Sequence, residues 1–347
     1  MNEISEALLA WYDRNARVLP WRNIHDPYTT WLSEAMLQQT RVETVLSYYD
    51  RFLSRFPTLA DLAGAEAEDV LKVWQGLGYY SRARNLWKGA RQVMEEYGGK
   101  LPTDPDKLSR ISGIGEYTAG AIASIAYGTP VPAVDGNVIR VLSRLYGIRG
   151  DASRPECRRR IRDLAAALVP PERPGDHNQA LMDLGATVCV PGTPDCRRCP
   201  LSSFCDAFRT GDAAELPLLP KAKVPRVVLY NVVLMRSGNR VLLRRRSEKL
   251  LEGLCCFPML EGEPDRDALA ARIRREFSTE PTGLVLVGTG RHVFTHRVWQ
   301  MNIWACRIGA DGEAPEEYFY EDAEHLAGLP WPVAMESALD CLRSLAR

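Results

Sequence analysis

The sequence has no apolar run of about 18 residues or more, the length that a membrane-spanning helix needs. Its N-terminus also lacks the charged, apolar and small-residue segments of a secretory leader. Its 44 Lys and Arg residues balance its 44 Asp and Glu residues, so the net charge gives no evidence for or against a polyanionic partner. No internal repeat or low-complexity tract is present. These absences exclude a membrane-spanning or repeat protein, and we expect a cytoplasmic protein without a membrane partner.

Cysteine, by contrast, occurs nine times in 347 residues. Disulfide frameworks stabilise small secreted chains, and this chain is not small and is not expected to be secreted. We therefore expect those cysteines that lie close together in sequence to ligate a metal or a cluster. The length allows two domains of ordinary size, and 46% hydrophobic with 25% charged residues is typical of a soluble globular protein.

The hydrophobic pattern divides the chain into a helical part and a mixed part. Residues 1–210 show helical periodicity in segments that end at Gly or Pro, whereas residues 227–347 show short alternating strands and two helices. Residues 211–226 are rich in proline and are expected to form a semi-rigid linker. The predicted helices span residues 4–12, 31–49, 67–75, 82–97, 118–127, 138–146, 156–168, 265–277 and 334–344, and the predicted strands span 227–236, 240–245, 284–292 and 297–307.

Residues 108–140 form the stretch around which the rest of the chain is organised. Their sequence predicts a helix, a hairpin at Gly113 and Gly115, an Ala-rich helix, and a Pro-broken turn that brings Asp135 to the start of another helix. Glycine reaches backbone angles closed to other residues, so the chain can reverse sharply and present amide N–H groups to a phosphate. Taken alone, this pattern is also typical of an ordinary helical hairpin. The accompanying motifs favour the phosphate-binding interpretation.

Four cysteines follow within 17 residues, in a loop bent by prolines and a glycine. Their spacing is C-x6-C-x2-C-x5-C, formed by Cys189, Cys196, Cys199 and Cys205. Tetrahedral zinc sites usually contain two close CxxC pairs, and this loop contains one. Iron–sulfur clusters accept wider spacings between ligands, so the pattern favours a cluster over zinc.

With these motifs in this order, the sequence resembles the helix-hairpin-helix DNA glycosylase superfamily, in the branch that carries a [4Fe-4S] cluster. The family's catalytic aspartate lies in a Val-Asp-x-Asn-Val-x-Arg motif, which residues 134–140 match. Endonuclease III-like members have a lysine that forms a Schiff base with the sugar and cuts the strand, where this chain has Tyr117. The resemblance therefore implies a monofunctional glycosylase that releases a base and leaves the strand intact.

Residues 31–40 resemble the signature of MutY-type adenine glycosylases, in which the glutamate that matches Glu34 is the general acid. Taken alone, Glu34 is typical of a solvated glutamate on a helix. The resemblance implies that Glu34, with a pKa raised by burial, protonates adenine at N7, while Asp135 stays ionised beside the anomeric carbon. It also implies that Tyr117 supports the aspartate and the sugar, and that Asn137 orients groups around them.

The same resemblance implies double-stranded DNA as the partner. Residues 19–22 and 76–84 match DNA-contacting segments of the family, and the hairpin is expected to hold phosphates together with a monovalent or divalent cation. Five arginines within residues 154–162 form either a solvated helix face or further phosphate contacts. In the family, the residues matching Gln39 and Tyr79 wedge into the base stack beside the flipped base. The residues expected to bind DNA are Arg22, Gln38, Gln39, Thr40, Tyr79, Gly113, Gly115, Arg197 and Arg198.

Residues 227–347 resemble the Nudix-like recognition domain that is fused to MutY-type enzymes. Of the Nudix box, Arg275 and Glu276 are present, but Thr279 replaces a magnesium-binding glutamate and no glycine leads the run, so pyrophosphate hydrolysis is not expected. The family reads 8-oxoguanine with a Phe-Ser-His loop. The matching residues here are Phe294, Thr295 and His296.

The sequence thus predicts an all-α helix-hairpin-helix glycosylase domain over residues 1–210, with a [4Fe-4S] loop at 189–205, followed by an α+β Nudix-like domain. The predicted function is removal of adenine mispaired with 8-oxoguanine or guanine in base excision repair. We expect a bacterial-type monomer that acts on nucleoid DNA. Two alternatives are an endonuclease III-like glycosylase and lyase for oxidised pyrimidines, and a protein that binds lesions without cutting them.

Overall fold

The computed structural model describes residues 2–220, 224–263, 265–309 and 314–345. The chain divides into two compact units. The first unit comprises Met1–Ala65 and Asn85–Lys221, and the second comprises Glu66–Arg84 and Ala222–Arg347. Residues 66–84, which the sequence pattern assigns to the N-terminal domain, group with the C-terminal residues. None of the helices in the described ranges combines the length and the apolar character that crossing a bilayer requires.

Helices dominate the first 210 residues, which confirms the all-α fold class predicted for them. Between the helices lie short connections, and two 3₁₀ turns, Cys196–Arg198 and Ser202–Phe204, occur in the cysteine loop. The helices are α1 (Glu3–Asn15), α2 (Pro27–Leu37), α3 (Val42–Arg55), α4 (Leu59–Gly64), α5 (Ala67–Trp74), α6 (Ser81–Glu96), α7 (Pro105–Leu108), α8 (Glu116–Ile125), α9 (Gly136–Leu145), α10 (Pro155–Leu168), α11 (Pro174–Thr187) and α12 (Asp206–Thr210).

The single helix predicted for residues 31–49 is wrong, because the chain forms two helices there. Helix α2 ends at Leu37, α3 begins at Val42, and Gln39 between them has a left-handed φ of 57°. A left-handed residue interrupts the helical hydrogen-bond ladder, and hydrophobic periodicity does not report such a backbone angle. The interruption separates the helix that carries Glu34 from the loop that carries Gln38, Gln39 and Thr40.

The core of the first unit forms around α11, which packs against α1, α8 and α9, while α10 packs against α9. Helix α8 is buried on nearly all sides, as its Ala-rich sequence allows. Close approach is visible at Gly120, where an added Cβ would lie 2.2 Å from the Pro132 carbonyl oxygen. Glycine at this position therefore lets the helix after the hairpin touch the backbone of the turn that leads to Asp135.

The predicted linker is shorter than residues 211–226, because its first half is folded into the first unit. Leu216 is buried beside Ala207 and Ala213, and its carbonyl accepts a hydrogen bond from Arg144 Nε at 3.0 Å. The carbonyl of Leu218 accepts a hydrogen bond from the Ala152 amide at 2.9 Å. Residues 221–223 of the linker lie outside the described residues. At the other end, a strand already begins at Arg226.

The second unit is built on a mixed sheet, which confirms the α+β class predicted for the C-terminal part. The sheet has the order β3-β2-β1-β6-β5, with β4 also paired to β1 and β7 to β2. Strands β1 and β6 run parallel, and the other pairs are antiparallel. The elements are β1 (Arg226–Ser237), β2 (Arg240–Arg245), β3 (Cys255–Cys256), β4 (Met259–Glu261), α13 (Arg266–Phe277), β5 (Thr282–Val293), β6 (Arg297–Arg307), β7 (Tyr318–Asp322) and α14 (Glu336–Leu345).

Two hydrophobic clusters flank this sheet. One contains α14 through Ala338 and Leu342, and the other contains α13 through Leu269 and Ile273. Alternate residues of β1 enter the two clusters, as expected for a strand that is buried on both faces. The loop between β5 and β6 stays exposed and contains residues 294–296.

Candidate active site

Glu34 lies in the middle of α2 and is buried, with 7% of its surface exposed. The helix begins at Pro27, and the carboxylate of the preceding residue, Asp26, caps it by accepting the Thr29 amide at 2.7 Å. Burial raises the pKa of Glu34 to about 7, against the opposing effects of a hydrogen bond from Tyr117 and of the Arg22 charge. The interpretation of Glu34 as a solvated glutamate is therefore wrong, and a carboxyl group with this pKa can deliver a proton near neutral pH.

Tyr117 is the hydrogen-bond partner of Glu34. It stands in the first turn of α8, and its hydroxyl donates to Glu34 Oε2 while lying 3.7 Å from Met182 Sδ. Burial and the neighbouring carboxylates hold the pKa of Tyr117 well above its usual value. The phenol therefore remains a neutral donor at physiological pH, and this position supplies no amine.

Asp135 is the N-cap of α9, so its carboxylate sits at the positive end of a helix. Its Oδ1 accepts the Val138 amide at 2.8 Å, and its Oδ2 accepts Asn137 Nδ2 at 2.7 Å. Burial raises the pKa of Asp135, and these hydrogen bonds oppose the shift by stabilising the charged form. The negative charge of Asp135 in turn contributes to the raised pKa of Glu34. The two predicted carboxyl groups therefore interact electrostatically within one site.

Arg22 reaches this site from the segment before α2, and a residue that the sequence analysis missed holds it there. Asp183 of α11 is fully buried and accepts Arg22 Nη2 at 2.9 Å and Arg17 Nη2 at 2.6 Å. Arg22 also donates to the hydroxyl of Tyr12. The sequence contains one signal for this role, because Asp183 is an acidic residue inside an apolar run at 180–184. Carboxylates are rarely buried without cationic partners.

Arg140 links Asn137 to the cysteine loop. Its guanidinium donates to Asn137 Oδ1, to the Gly185 carbonyl and to the Cys189 carbonyl, each at 2.8 Å. Because Asn137 donates in turn to Asp135, one chain of hydrogen bonds runs from the loop to the carboxylate. Gly185 permits this approach, since an added Cβ would lie 2.6 Å from Asn137 Cβ.

The cysteine loop brings its four predicted ligands to one small cavity, lined by Cys189, Cys196, Cys199 and Cys205 together with Arg144. Buried Arg144 organises the loop by donating to Cys189 Sγ at 3.3 Å and to the Val190 carbonyl at 2.8 Å. Burial raises the pKa of Cys199 to about 12, so the thiolate form needs a cationic partner. In the described ranges no three His, Cys, Asp or Glu side chains converge on a single metal ion. The four thiols that line this cavity are donors of the kind that an iron–sulfur cluster requires.

The hairpin connects α7 to α8. The left-handed backbone angle predicted for its glycines is present at Gly113 and wrong for Gly115, which has an extended backbone with a φ of -87° that other residues also adopt. Gly113 has a φ of 84°, and an added Cβ would lie 3.0 Å from Asn85 Cβ. Gly115 caps α8 without a side-chain hydrogen bond. Amides of the first helical turn are therefore presented at the hairpin, which is the arrangement that suits an anion.

The other residues expected to contact DNA lie at the surface. Gln39 follows α2, and Arg197 and Arg198 are exposed on the 3₁₀ turn of the cysteine loop. Tyr79 lies in the second unit, is 46% exposed and has a left-handed φ of 48°. Gln39 and Tyr79, the two residues predicted to wedge into DNA, are among seven non-glycine residues with a left-handed φ in the described ranges, so each carries local backbone strain.

Within the second unit, Tyr79 meets the loop that the resemblance assigns to 8-oxoguanine. The Tyr79 hydroxyl lies 3.3 Å from Thr295 Oγ1, and both residues line a cavity of about 610 Å³ with mainly apolar walls. Phe294 packs edge-on against Trp299, with ring centroids 4.8 Å apart. His296 also lines the cavity. The structure thus brings Tyr79 to the consecutive residues Phe294, Thr295 and His296, which lie more than 200 residues further along the sequence.

The acidic residues left in the Nudix box are neutralised by neighbouring arginines. Glu276 Oε1 accepts Arg272 Nε at 2.6 Å, and Glu280 Oε2 accepts Arg274 Nε at 2.6 Å.

Comparison with known proteins bears on this geometry. Residues 32–167 match the family described as HhH-GPD superfamily base excision DNA repair protein, and residues 231–341 match the NUDIX domain family. The chain is 31% identical over 337 residues to an adenine DNA glycosylase of Buchnera aphidicola subsp. Acyrthosiphon pisum, which covers 95% of each protein. The chain belongs to the adenine DNA glycosylase family.

Relatives from animals and plants are longer than this member of the family. An adenine DNA glycosylase of Mus musculus is 48% identical over 222 residues, which is 61% of this chain and 43% of the mouse protein. One of Arabidopsis thaliana is 41% identical over 311 residues, which is 78% of this chain and 49% of the plant protein. The alignments therefore span less than half the length of these relatives.

Solved structures share the fold. A thermostable thymine-DNA glycosylase superposes with a TM-score of 0.55 at 28% identity, covering 59% of this chain and 95% of its own. Endonuclease III trapped on DNA superposes with a TM-score of 0.52 at 23% identity, covering 60% of this chain and 95% of its own. The second likeness concerns the fold alone.

Proposed function

We propose that the protein is a monofunctional DNA glycosylase that hydrolyses the bond between deoxyribose and adenine mispaired with 8-oxoguanine or guanine, in base excision repair. The observation that carries this proposal is the pairing of Glu34, whose pKa is raised to about 7, with Asp135, whose hydrogen bonds stabilise its charge. Membership of the adenine DNA glycosylase family supports adenine as the released base.

The two carboxyl groups divide the reaction between them, as in glycoside hydrolysis. Adenine leaves poorly as an anion, so protonated Glu34 gives its proton to N7 as the bond to the sugar breaks. Ionised Asp135 stabilises the oxocarbenium-like sugar that forms. Water then adds to the anomeric carbon, and its proton returns to the Glu34 carboxylate. The products are free adenine and an abasic site.

Tyr117 determines that the reaction stops there. A lyase needs an amine that forms a Schiff base with the opened sugar, and the side chain beside Glu34 is a phenol. By donating to Glu34, Tyr117 holds the carboxyl group in one orientation and leaves the other carboxyl oxygen to carry the proton toward the base. The abasic strand therefore stays intact.

Double-stranded DNA is the substrate that these surfaces fit. The hairpin amides at Gly113 and Gly115 bind phosphates with the help of a cation, and Gln38, Gln39 and Thr40 lie beside the base pair that opens. Tyr79 enters the stack when the adenine flips out. The Thr295 hydroxyl reads the opposite base, and Phe294 and His296 frame it. We place the protein in the cytoplasm, as a monomer on nucleoid DNA.

The four loop cysteines would hold a [4Fe-4S] cluster, which supplies structure and fixes Arg197 and Arg198 for phosphate contact. If so, replacing Cys199 with Ser removes the broad visible absorbance of the purified protein and lowers its melting temperature, because a ligand is lost. The Cys157→Ser variant is the matched control, since this cysteine lies outside the loop. Purified protein without iron and sulfide in equal amounts would contradict the cluster assignment.

The proposal is tested by base release in single turnover from four duplexes that differ at one site. These contain adenine opposite 8-oxoguanine, guanine or thymine, and thymine glycol opposite adenine. We expect rapid release of adenine opposite 8-oxoguanine, slower release opposite guanine, and strand cleavage only after alkali. Release of thymine glycol, or cleavage without alkali, would indicate the endonuclease III-like alternative, and binding without release would indicate a lesion-binding protein.

The rate of adenine release should depend on pH with two limbs. Because Glu34 acts protonated, the rate falls as pH rises through its pKa of about 7, by roughly tenfold for each further pH unit. Because Asp135 acts ionised and burial raises its pKa, the rate also falls in acid, at a higher pH than an exposed aspartate would give. Single-turnover rates between about pH 4 and 9 measure both limbs. A rate that stays constant above pH 7 would contradict the role of Glu34.

A further inference from the structure

A second cavity in the first unit lies next to the hairpin. Its volume is about 440 Å³, which is in the range of ligand sites. Its wall includes Tyr117, which closely follows the hairpin in sequence, and Val134, which directly precedes Asp135. The floor is apolar, with Ala119, Gly120 and Pro132. The cavity is thus connected to both the hairpin and the candidate active site, because residues of its wall are close to them in sequence.

Four charged residues line this cavity, and because they reach solvent we call them its rim: Asp106, Glu116, Arg158 and Arg162. The two arginines are four residues apart on α10, so their side chains lie on one face of the helix. Glu116 directly follows Gly115 of the hairpin and forms an ion pair with Arg162. Both members of the pair reach solvent, with 68% and 41% of their side chains exposed. Two acids and two arginines leave the rim without net charge in the free protein.

We propose that this cavity receives a phosphodiester group of the DNA strand that lies on the hairpin, with Arg158 and Arg162 as its ligands, and that Glu116 competes with the phosphate for Arg162. The inference rests on the proposed function, because it takes DNA as the ligand. Guanidinium groups bind phosphate oxygens through paired N–H donors, and an apolar floor accepts a deoxyribose. On binding, the phosphate replaces the Glu116 carboxylate at Arg162.

This exchange makes Glu116 a residue that weakens DNA binding. Its carboxylate stands one residue from the hairpin amides, so it repels the phosphate held there and also occupies Arg162 in the free protein. Asp106 adds a second negative charge to the rim but has no ion pair with either arginine among the contacts of the described residues. Removing the Glu116 charge should therefore strengthen binding, in contrast to the usual effect of breaking an ion pair.

The test measures the affinity for a duplex that carries a tetrahydrofuran abasic site opposite 8-oxoguanine, which the enzyme cannot process. We expect Glu116→Gln to tighten the dissociation constant roughly fivefold, the upper range for one exposed ion pair. The control is Asp163→Asn, which removes one negative charge from the exposed face of α10 without releasing Arg162. If this control tightens binding as much as Glu116→Gln, or if Glu116→Gln weakens binding, the proposal is wrong.

The arginines give a second, independent measurement. Arg162→Gln should weaken binding and lower the slope of log affinity against log salt by about 0.9, the value for one phosphate contact. It should cost more in the Glu116→Gln background than in the wild type, whereas Arg158→Gln should cost the same in both. Equal costs for Arg162→Gln in the two backgrounds would overturn the competition. Failure of the wild type to release adenine would count against the proposed function alone, because this binding assay needs no turnover.

Discussion

Replacing Glu34 with Gln should reduce adenine release by roughly 10³-fold, because an amide cannot give a proton to the leaving base. The affinity for the mispaired duplex should change little, since Glu34 is buried and its replacement leaves the exposed DNA-contacting residues unchanged. Single-turnover release and the dissociation constant for the same duplex measure the two effects separately. Unchanged release would remove Glu34 from the mechanism.

Stability provides the control for this variant. The pKa of Glu34 is about 7 when folded and near its usual value when unfolded, so the folded state binds the proton more tightly. Ionisation therefore costs stability as pH rises from the unfolded value to about 7, and Gln, which cannot ionise, avoids that cost. We expect Glu34→Gln to melt at or above the wild-type temperature at pH 8. Glu95→Gln, an exposed change on α6, should alter neither release nor melting.

Replacing Asp135 with Asn should also abolish most of the release, again by roughly 10³-fold, because a neutral amide does not stabilise a cationic sugar. The fold should survive, since Asn caps helices about as well as Asp. In addition, the acid limb of the pH profile should disappear, while the limb near pH 7 remains because Glu34 is intact. Release rates across pH, measured for this variant at high enzyme concentration, test both statements.

A matched substitution separates the charge of Asp135 from its capping role. Asp265 caps α13 in the same way, accepting the Ala268 amide at 2.8 Å. Asp265→Asn should leave release unchanged. If Asp135→Asn lowers the melting temperature much more than Asp265→Asn does, then loss of activity reflects damage to α9 and not loss of a charge.

The sequence predicted those parts of the molecule that depend on local patterns. The fold class, the hairpin turn at Gly113, Asp135 at a helix start and most strands of the second unit follow from periodicity and turn chemistry. The break at Gln39 was missed because a left-handed backbone angle leaves no trace in hydrophobic periodicity. The structural grouping of residues 66–84 was missed for a related reason, since the sequence pattern of α5 states that one face is buried but not against which partner.

The candidate active site also has a part that the sequence predicts and a part that depends on tertiary packing. Resemblance to a family proposed Glu34, but only tertiary packing accounts for its raised pKa, since burial is a property of the fold. Asp183 was not predicted, and Arg140 was identified only as the last residue of the family motif. Apart from Asn137, the hydrogen-bond partners of these two side chains are 45 or more residues away in sequence. Long-range polar networks of this kind carry no periodic signal, and they nevertheless orient the residues that the motifs identify.

The contact of Gly120 with the Pro132 carbonyl also bears on how freely this protein can vary in sequence. Backbone meets backbone there, so the separation between the helix of Tyr117 and the turn before Asp135 does not depend on the volume of an intervening side chain. Surrounding core residues can therefore exchange size by a methyl group or two while that separation persists. The core can therefore tolerate mutation while Tyr117 and Asp135 keep their relative placement, because Gly120 has no side chain.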